Sequence, residues 1–149
     1  MYRLPRMLLL LLAAACSLAA PASALSESIA VIVHRDNPQR ALSRDEIRRI
    51  YTNSVLEWPD GTPVAIYDLS VDDPVREVFS GKVLRKAPSK VAQEWAHLKI
   101  TNQAKNPPTA VKSESIIIRR IAREKGAIGY VSLSSVEGNP DVRIVNTIQ

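Results

Sequence analysis

Apolar and polar positions follow two different rhythms along this chain. Ile29-Ala30-Val31-Ile32-Val33 is an unbroken apolar, β-branched run. It reads as a strand covered on both faces, as in a parallel sheet flanked by helices. Asp36, Asn37 and Pro38 break it, since Pro disfavours helix at the residue before it. The rhythm then turns helical. Ser43 and Glu46 are spaced as a capping box, and Leu42 and Ile47 as a hydrophobic staple. Ile47, Ile50 and Tyr51 fall on one side, with Arg44, Arg48 and Arg49 on the other. Trp58-Pro59-Asp60-Gly61 reads as a turn, and Pro63 to Leu69 as a second strand.

Asp73-Pro74 predicts the start of another helix, with Asp at the N-cap and Pro in the first helical position. Val75, Val78, Phe79 and Val83 mark its expected buried stripe, and Gly81 weakens its last turn. A further helix is expected from Ser89, where Val91, Trp95 and Leu98 share a face. Asn102 to Thr109, with Pro107-Pro108, reads as an extended loop. Ser113 is the expected cap of a last helix whose inward positions are Ile117, Ile118, Ile121 and Ala122. Gly126 suits a left-handed residue closing that helix. Ala127 to Ser132 and Val142 to Thr147 read as the third and fourth strands. Strands alternating with helices predict an α/β class with a small, mostly parallel sheet. Ile-Arg-Arg-Ile occurs at Ile47–Ile50 and again at Ile118–Ile121. Each copy reads as an amphipathic turn with a solvated basic face, not as a repeat.

The first residues change the charge balance. Arg3 and Arg6, the apolar stretch from Met7 to Ala15, and Ala22-Ser23-Ala24 have the layout of a secretory signal peptide. The apolar stretch is far short of the ~20 residues of a membrane span. The expected domains are therefore a leader at 1–24 and a single α/β domain at 25–149. The whole chain carries +5; two of the 20 basic residues leave with the leader and all 15 acids stay, so the mature charge falls to +3. Nucleic acid is not an expected partner, on grounds of compartment as much as charge. The one cysteine, Cys16, lies in the leader, so disulfides and a thiol nucleophile are excluded from the mature domain. Lipid attachment at Cys16 is the lesser alternative, because Ala13 stands where such sites prefer a larger aliphatic residue. A periplasmic or secreted location is expected.

Catalytic motifs are absent: no nucleophile elbow, no His-Glu-x-x-His, no phosphate-cradling Gly loop. Of the two histidines, His34 follows a strand and is a candidate to line a site, while His97 reads as a surface residue. No Asp, Glu and His cluster has metal-ligand spacing, and no cofactor is expected. The informative places are the turns where strands hand over to helices, because ligands of open α/β sheets bind beyond the carboxyl ends of strands. Those turns are His34 to Ser43, Ser70 to Val75, and the Ser113 cap. Ser43 and Ser113 read more simply as caps of their own helices.

Several segments carry a family resemblance. Ala30-Val31-Ile32-Val33 through Asn37-Pro38, Leu42-Ser43-Arg44-Asp45-Glu46-Ile47 with Ile50-Tyr51, Trp58 with Asp60-Gly61, and Gly126-Ala127-Ile128-Gly129-Tyr130-Val131 occur in order. Together they resemble phosphate-type substrate-binding proteins of ABC importers. The resemblance implies one lobe of the two-lobed, type II periplasmic binding fold, in which phosphate is gripped between lobes. In that family the second strand is followed by an Arg and a Ser-Gly-Thr turn that binds phosphate. Here Leu69 falls at the Arg position, and Asp73, Pro74 and Val75 at the turn. Asp73 sets a carboxylate where the anion would sit, opposing it by on the order of 1 kcal/mol or more. Ser70 and Arg76 are the nearest remaining hydroxyl and cation, although Arg76 is also spaced to pair with Asp73.

The resemblance therefore implies an exported, non-enzymatic protein that binds phosphate or another small anion weakly through Ser70, Asp73 and Arg76. An ABC permease or another extracytoplasmic protein is the implied partner. The alternative is an interaction module that kept the lobe and lost the ligand.

Overall fold

The computed structural model describes residues 27–149. The leader, its cleavage site and Cys16 lie outside the described residues. Five strands, β1 (Ile29–His34), β2 (Ala65–Leu69), β3 (Thr109–Val111), β4 (Ala127–Ser132) and β5 (Val142–Ile148), form one sheet in the order β3-β2-β4-β1-β5. Four helices join them: α1 (Arg44–Tyr51), α2 (Pro74–Phe79), α3 (Pro88–Ile100) and α4 (Glu114–Ile121). α2 runs on into a π-helical turn at Ser80–Leu84, where Gly81 sits.

The expected α/β lobe is present, and its sheet is mixed. β2 pairs in parallel with both β3 and β4. β1, expected to be a parallel-sheet strand, instead runs against both of its neighbours, β4 and β5. Its apolar run reflects burial from both sides and carries no information about strand direction. Among the described residues a second difference lies at the edge: Thr109, placed in a loop by the two prolines before it, begins the short strand β3.

Local sequence signals set the helix starts. Both bonds of the capping box form on α1: Glu46 N–H donates to Ser43 Oγ at 3.2 Å and Ser43 N–H to Glu46 Oε2 at 2.7 Å. Those bonds, with the Arg49 charge, hold the Glu46 carboxyl below its usual range. Asp73 caps α2, its Oδ1 accepting from Val75 N–H at 2.8 Å, with Pro74 in the first turn. Ser113 occupies the N-cap position of α4, but its hydroxyl meets Ser115 Oγ at 3.0 Å and makes no capping bond.

The core forms on both faces of the sheet. On one face Tyr51, Phe79 and Tyr130 pack together, with the Phe79 and Tyr130 rings stacked at 3.8 Å and Tyr51 edge-on to Phe79 at 4.9 Å. Val91 and Trp95 of α3 are buried, as their spacing predicts. On the other face Ile117 and Ile121 of α4 press onto Gly129, where a Cβ would stand 2.6 Å from Ile117 Cγ2. Val75 and Val78 are only half-buried; Arg76, between them, is buried instead. Gly126 is not left-handed. It is required by close approach, since a Cβ there would meet the Pro63 carbonyl oxygen at 2.2 Å. Its own carbonyl accepts from Trp58 Nε1–H at 2.9 Å and Ala65 N–H at 3.0 Å, which fastens the Trp58 turn to the sheet.

Candidate functional site

β2, β3 and β4 run in one direction, so the loops after them meet at one edge of the lobe. Ser70–Asp73 follows β2, Lys112–Ser113 follows β3, and Leu133–Ser135 follows β4. Val71 projects from the first of these at 45% exposure, and Asp72 is exposed beside it. Asp73 N–H donates to the Ser70 carbonyl at 3.0 Å, closing the loop into a tight turn. Glu114, in the first turn of α4, reaches across to accept from Ser132 N–H at 2.5 Å, Ser132 Oγ at 2.9 Å and Ser135 Oγ at 3.2 Å. This carboxylate laces the β3 and β4 loops together.

Ser70, Asp73 and Arg76 lie in and just after the β2 loop, and Ser70 is half-buried there. Asp73 is engaged in capping its own helix. Arg76 turns beneath the loop and is 5% exposed. Its Nη1 donates to the Leu69 carbonyl at 2.6 Å and its Nη2 lies 3.3 Å from Asp68 Oδ2, while Nε has no partner. The i,i+3 pairing with Asp73 does not form: the guanidinium takes Asp68. Asp68 also accepts from the Tyr130 hydroxyl and from Leu69 N–H at 2.9 Å. Burial raises the Asp68 carboxyl above its ordinary range, against the lowering effects of Tyr130, Arg76 and Leu69. Burial and the Asp68 charge push the Tyr130 hydroxyl far up in turn. The result is an internal cation–anion pair directly under the β2 loop.

Asp68, Tyr130 and Glu114 escape sequence reasoning. A polar residue inside Ile66-Tyr67-Asp68-Leu69 was the available signal for Asp68, since a carboxylate in an apolar strand needs a buried partner. His34 does not join the loop cluster. β1 is antiparallel to β4, which puts His34 at the opposite end of the sheet, where its Nδ1 accepts from Asp36 N–H at 3.0 Å. His97 is exposed on α3. Among the described residues no three His, Cys, Asp or Glu side chains are grouped to hold a metal, and no helix is long and apolar enough to cross a membrane.

The sequence profile of a family described as a PBP superfamily domain matches residues 23–146. The chain belongs to the PBP superfamily. This is a substrate-binding fold and not an enzyme family. No curated protein sequence matches the chain. Among solved structures, the PBP lobe is similar to a Clostridium perfringens protein assigned as a phosphate ABC transporter substrate-binding protein and solved with bound phosphate. That similarity has a TM-score of 0.64 at 22% identity, over 80% of this chain and 44% of that one. It is also similar to an ABC-type phosphate transport receptor from Vibrio cholerae (TM-score 0.63, 17% identity, 80% and 46% covered). PstS from Borrelia burgdorferi is a third such structure (TM-score 0.63, 12% identity, 80% and 47% covered). At these identities the likeness is one of fold. The PBP lobe spans less than half the length of each of these proteins.

Proposed function

We propose that the protein is an exported, non-enzymatic PBP lobe related to phosphate uptake, a weak anion binder or accessory component using Ser70, Asp73 and Arg76. Its expected partner is an ABC permease or another extracytoplasmic protein, and its domain runs from residue 25 to residue 149. The observation that carries this reading is the open loop edge at the ends of three co-directional strands, in a lobe less than half as long as the phosphate-binding proteins it resembles. A two-lobed binder encloses its anion in a low dielectric, which strengthens each hydrogen bond. One lobe leaves the same loops hydrated. The second reading, an interaction module that no longer binds solute, is favoured by Arg76, whose guanidinium is already engaged by Asp68 and Leu69.

Calorimetric titration of residues 25–149 with inorganic phosphate separates the two. Weak anion binding predicts a Kd of about millimolar, roughly 4 kcal/mol. Asp73→Ser, which removes the competing carboxylate and supplies a hydroxyl, should tighten it. No heat with either form overturns the anion-binding reading and leaves the interaction module, and micromolar binding by the wild-type monomer refutes the weak-site reading.

A further inference from the structure

The tetrapeptide Ile-Arg-Arg-Ile occurs once on α1 and once on α4, and the structure treats the two copies differently. On α1 the basic face is balanced within the helix. Arg48 pairs with Asp45, and Glu46 stands in the same first turn. On α4 the balance is thinner, since the residues three and four before Arg119 are Ile116 and Ser115, and Glu114 is bonded to Ser132 and Ser135. Arg119, Arg120 and Arg123 are all exposed and, with Ile116 and Glu124, line a surface hollow of about 450 Å³. Among the described residues no carboxylate lies within ion-pair distance of Arg119 or Arg123. The contact of Arg120 with Glu124 is 4.0 Å long. Glu124 is held by the Tyr67 hydroxyl at 2.5 Å, and burial together with that carboxylate pushes Tyr67 up to about 12. The stripe therefore keeps its positive charge. It spans the C-terminal end of α4 and the turn that follows, away from the loops after β2, β3 and β4.

We infer that Arg119 and Arg120 at the end of α4, with Arg123 in the turn that follows, dock an acidic segment of a partner protein. Guanidinium forks bind carboxylates in bidentate fashion, and Arg is the basic residue enriched at protein interfaces, whereas Lys is depleted there. The stripe holds three Arg and no Lys. A membrane surface fits less well, because interfacial helices insert large apolar side chains. Among the described residues the exposed large apolar ones are Leu56, Val71 and Ile100, none of them on α4.

The test is fluorescence anisotropy of residues 25–149 with a labelled, alternating Glu-Thr peptide of about ten residues, a length that covers the stripe when extended. Saturable binding that weakens with added salt is expected. Arg119→Ala/Arg123→Ala should weaken it roughly tenfold, and Arg119→Lys/Arg123→Lys several-fold, because charge remains but the forks do not. Arg44→Ala/Arg49→Ala on α1 removes the same charge and should change affinity less than about twofold. Thermal unfolding of each variant reads any loss of helix stability separately. Equal losses from the α1 and α4 pairs would reduce the effect to net charge and overturn the inference. So would no saturable peptide binding, or binding to phosphatidylglycerol vesicles without binding to the peptide.

Discussion

Arg76→Met is the substitution that decides whether the cation under the β2 loop belongs to the fold or to a solute. Methionine keeps much of the apolar stem but removes the guanidinium. It leaves the Asp68 carboxylate buried with only the Tyr130 hydroxyl and Leu69 N–H as donors. At 3.3 Å and an effective dielectric of about 20, the lost attraction is about 5 kcal/mol. Some of that is offset because a charged group no longer has to be desolvated. Removing one member of a buried pair typically costs 3–5 kcal/mol, and about that loss is expected near neutral pH. Asp68→Asn should cost a similar amount, about 3–5 kcal/mol. The amide oxygen can still accept from Tyr130 and Leu69, but the NH2 group replaces the oxygen facing Arg76 and leaves the buried guanidinium without its carboxylate. The pH dependence follows from the raised Asp68 carboxyl. A carboxyl raised in the fold binds its proton more readily folded than unfolded. Its contribution is present below the ordinary Asp range and is lost as pH rises through the folded pKa. Without Arg76 that pKa rises further, so the cost of Arg76→Met should shrink on acidification. Urea unfolding followed by the fluorescence of buried Trp58 and Trp95 measures all three quantities. A loss below about 1 kcal/mol for Arg76→Met would refute the reasoning and return the guanidinium to the solute site.

Three further outcomes are expected in the same assay. Gly126→Ala should destabilise by about 3 kcal/mol or more, because its Cβ meets a backbone oxygen that no rotamer change can move; Gly81→Ala, with open space around it, should stabilise by up to about 1 kcal/mol. Trp95→Ala should cost roughly 3–5 kcal/mol, and an unchanged midpoint would mean that this helix face is not part of the core. Ser43→Ala should cost about 1 kcal/mol through loss of the capping bond, whereas Ser113→Ala should cost little, since its hydroxyl caps nothing.

The local grammar of this protein is legible in its sequence because local interactions carry it. The capping box at Ser43 and Glu46, the Asp73-Pro74 helix start, the buried run of β1 and the Val91–Trp95 face all follow from residues a few positions apart. The ordered segments that resemble phosphate-type binding proteins likewise sufficed to name the lobe. Long-range pairing decided the rest. Nothing in Ile29–Val33 records that β1 runs against its neighbours, because an apolar run covered on both faces is the same in either direction. Gly126 has a sequence context that suits a helix end, but its absent side chain is required by Pro63, far away in the chain. Arg76 read as a cation for an anion site or for Asp73, because the burial of its guanidinium depends on Asp68 reaching it from the strand before, and on Tyr130 reaching Asp68 from β4. The two Ile-Arg-Arg-Ile copies are identical as text. Their flanks are not: Asp45-Glu46 precedes one copy and Ile116-Ile117 the other, so the missing acid was legible, while the hold of Tyr67 on Glu124, the acid beside Arg120, was decided by the fold.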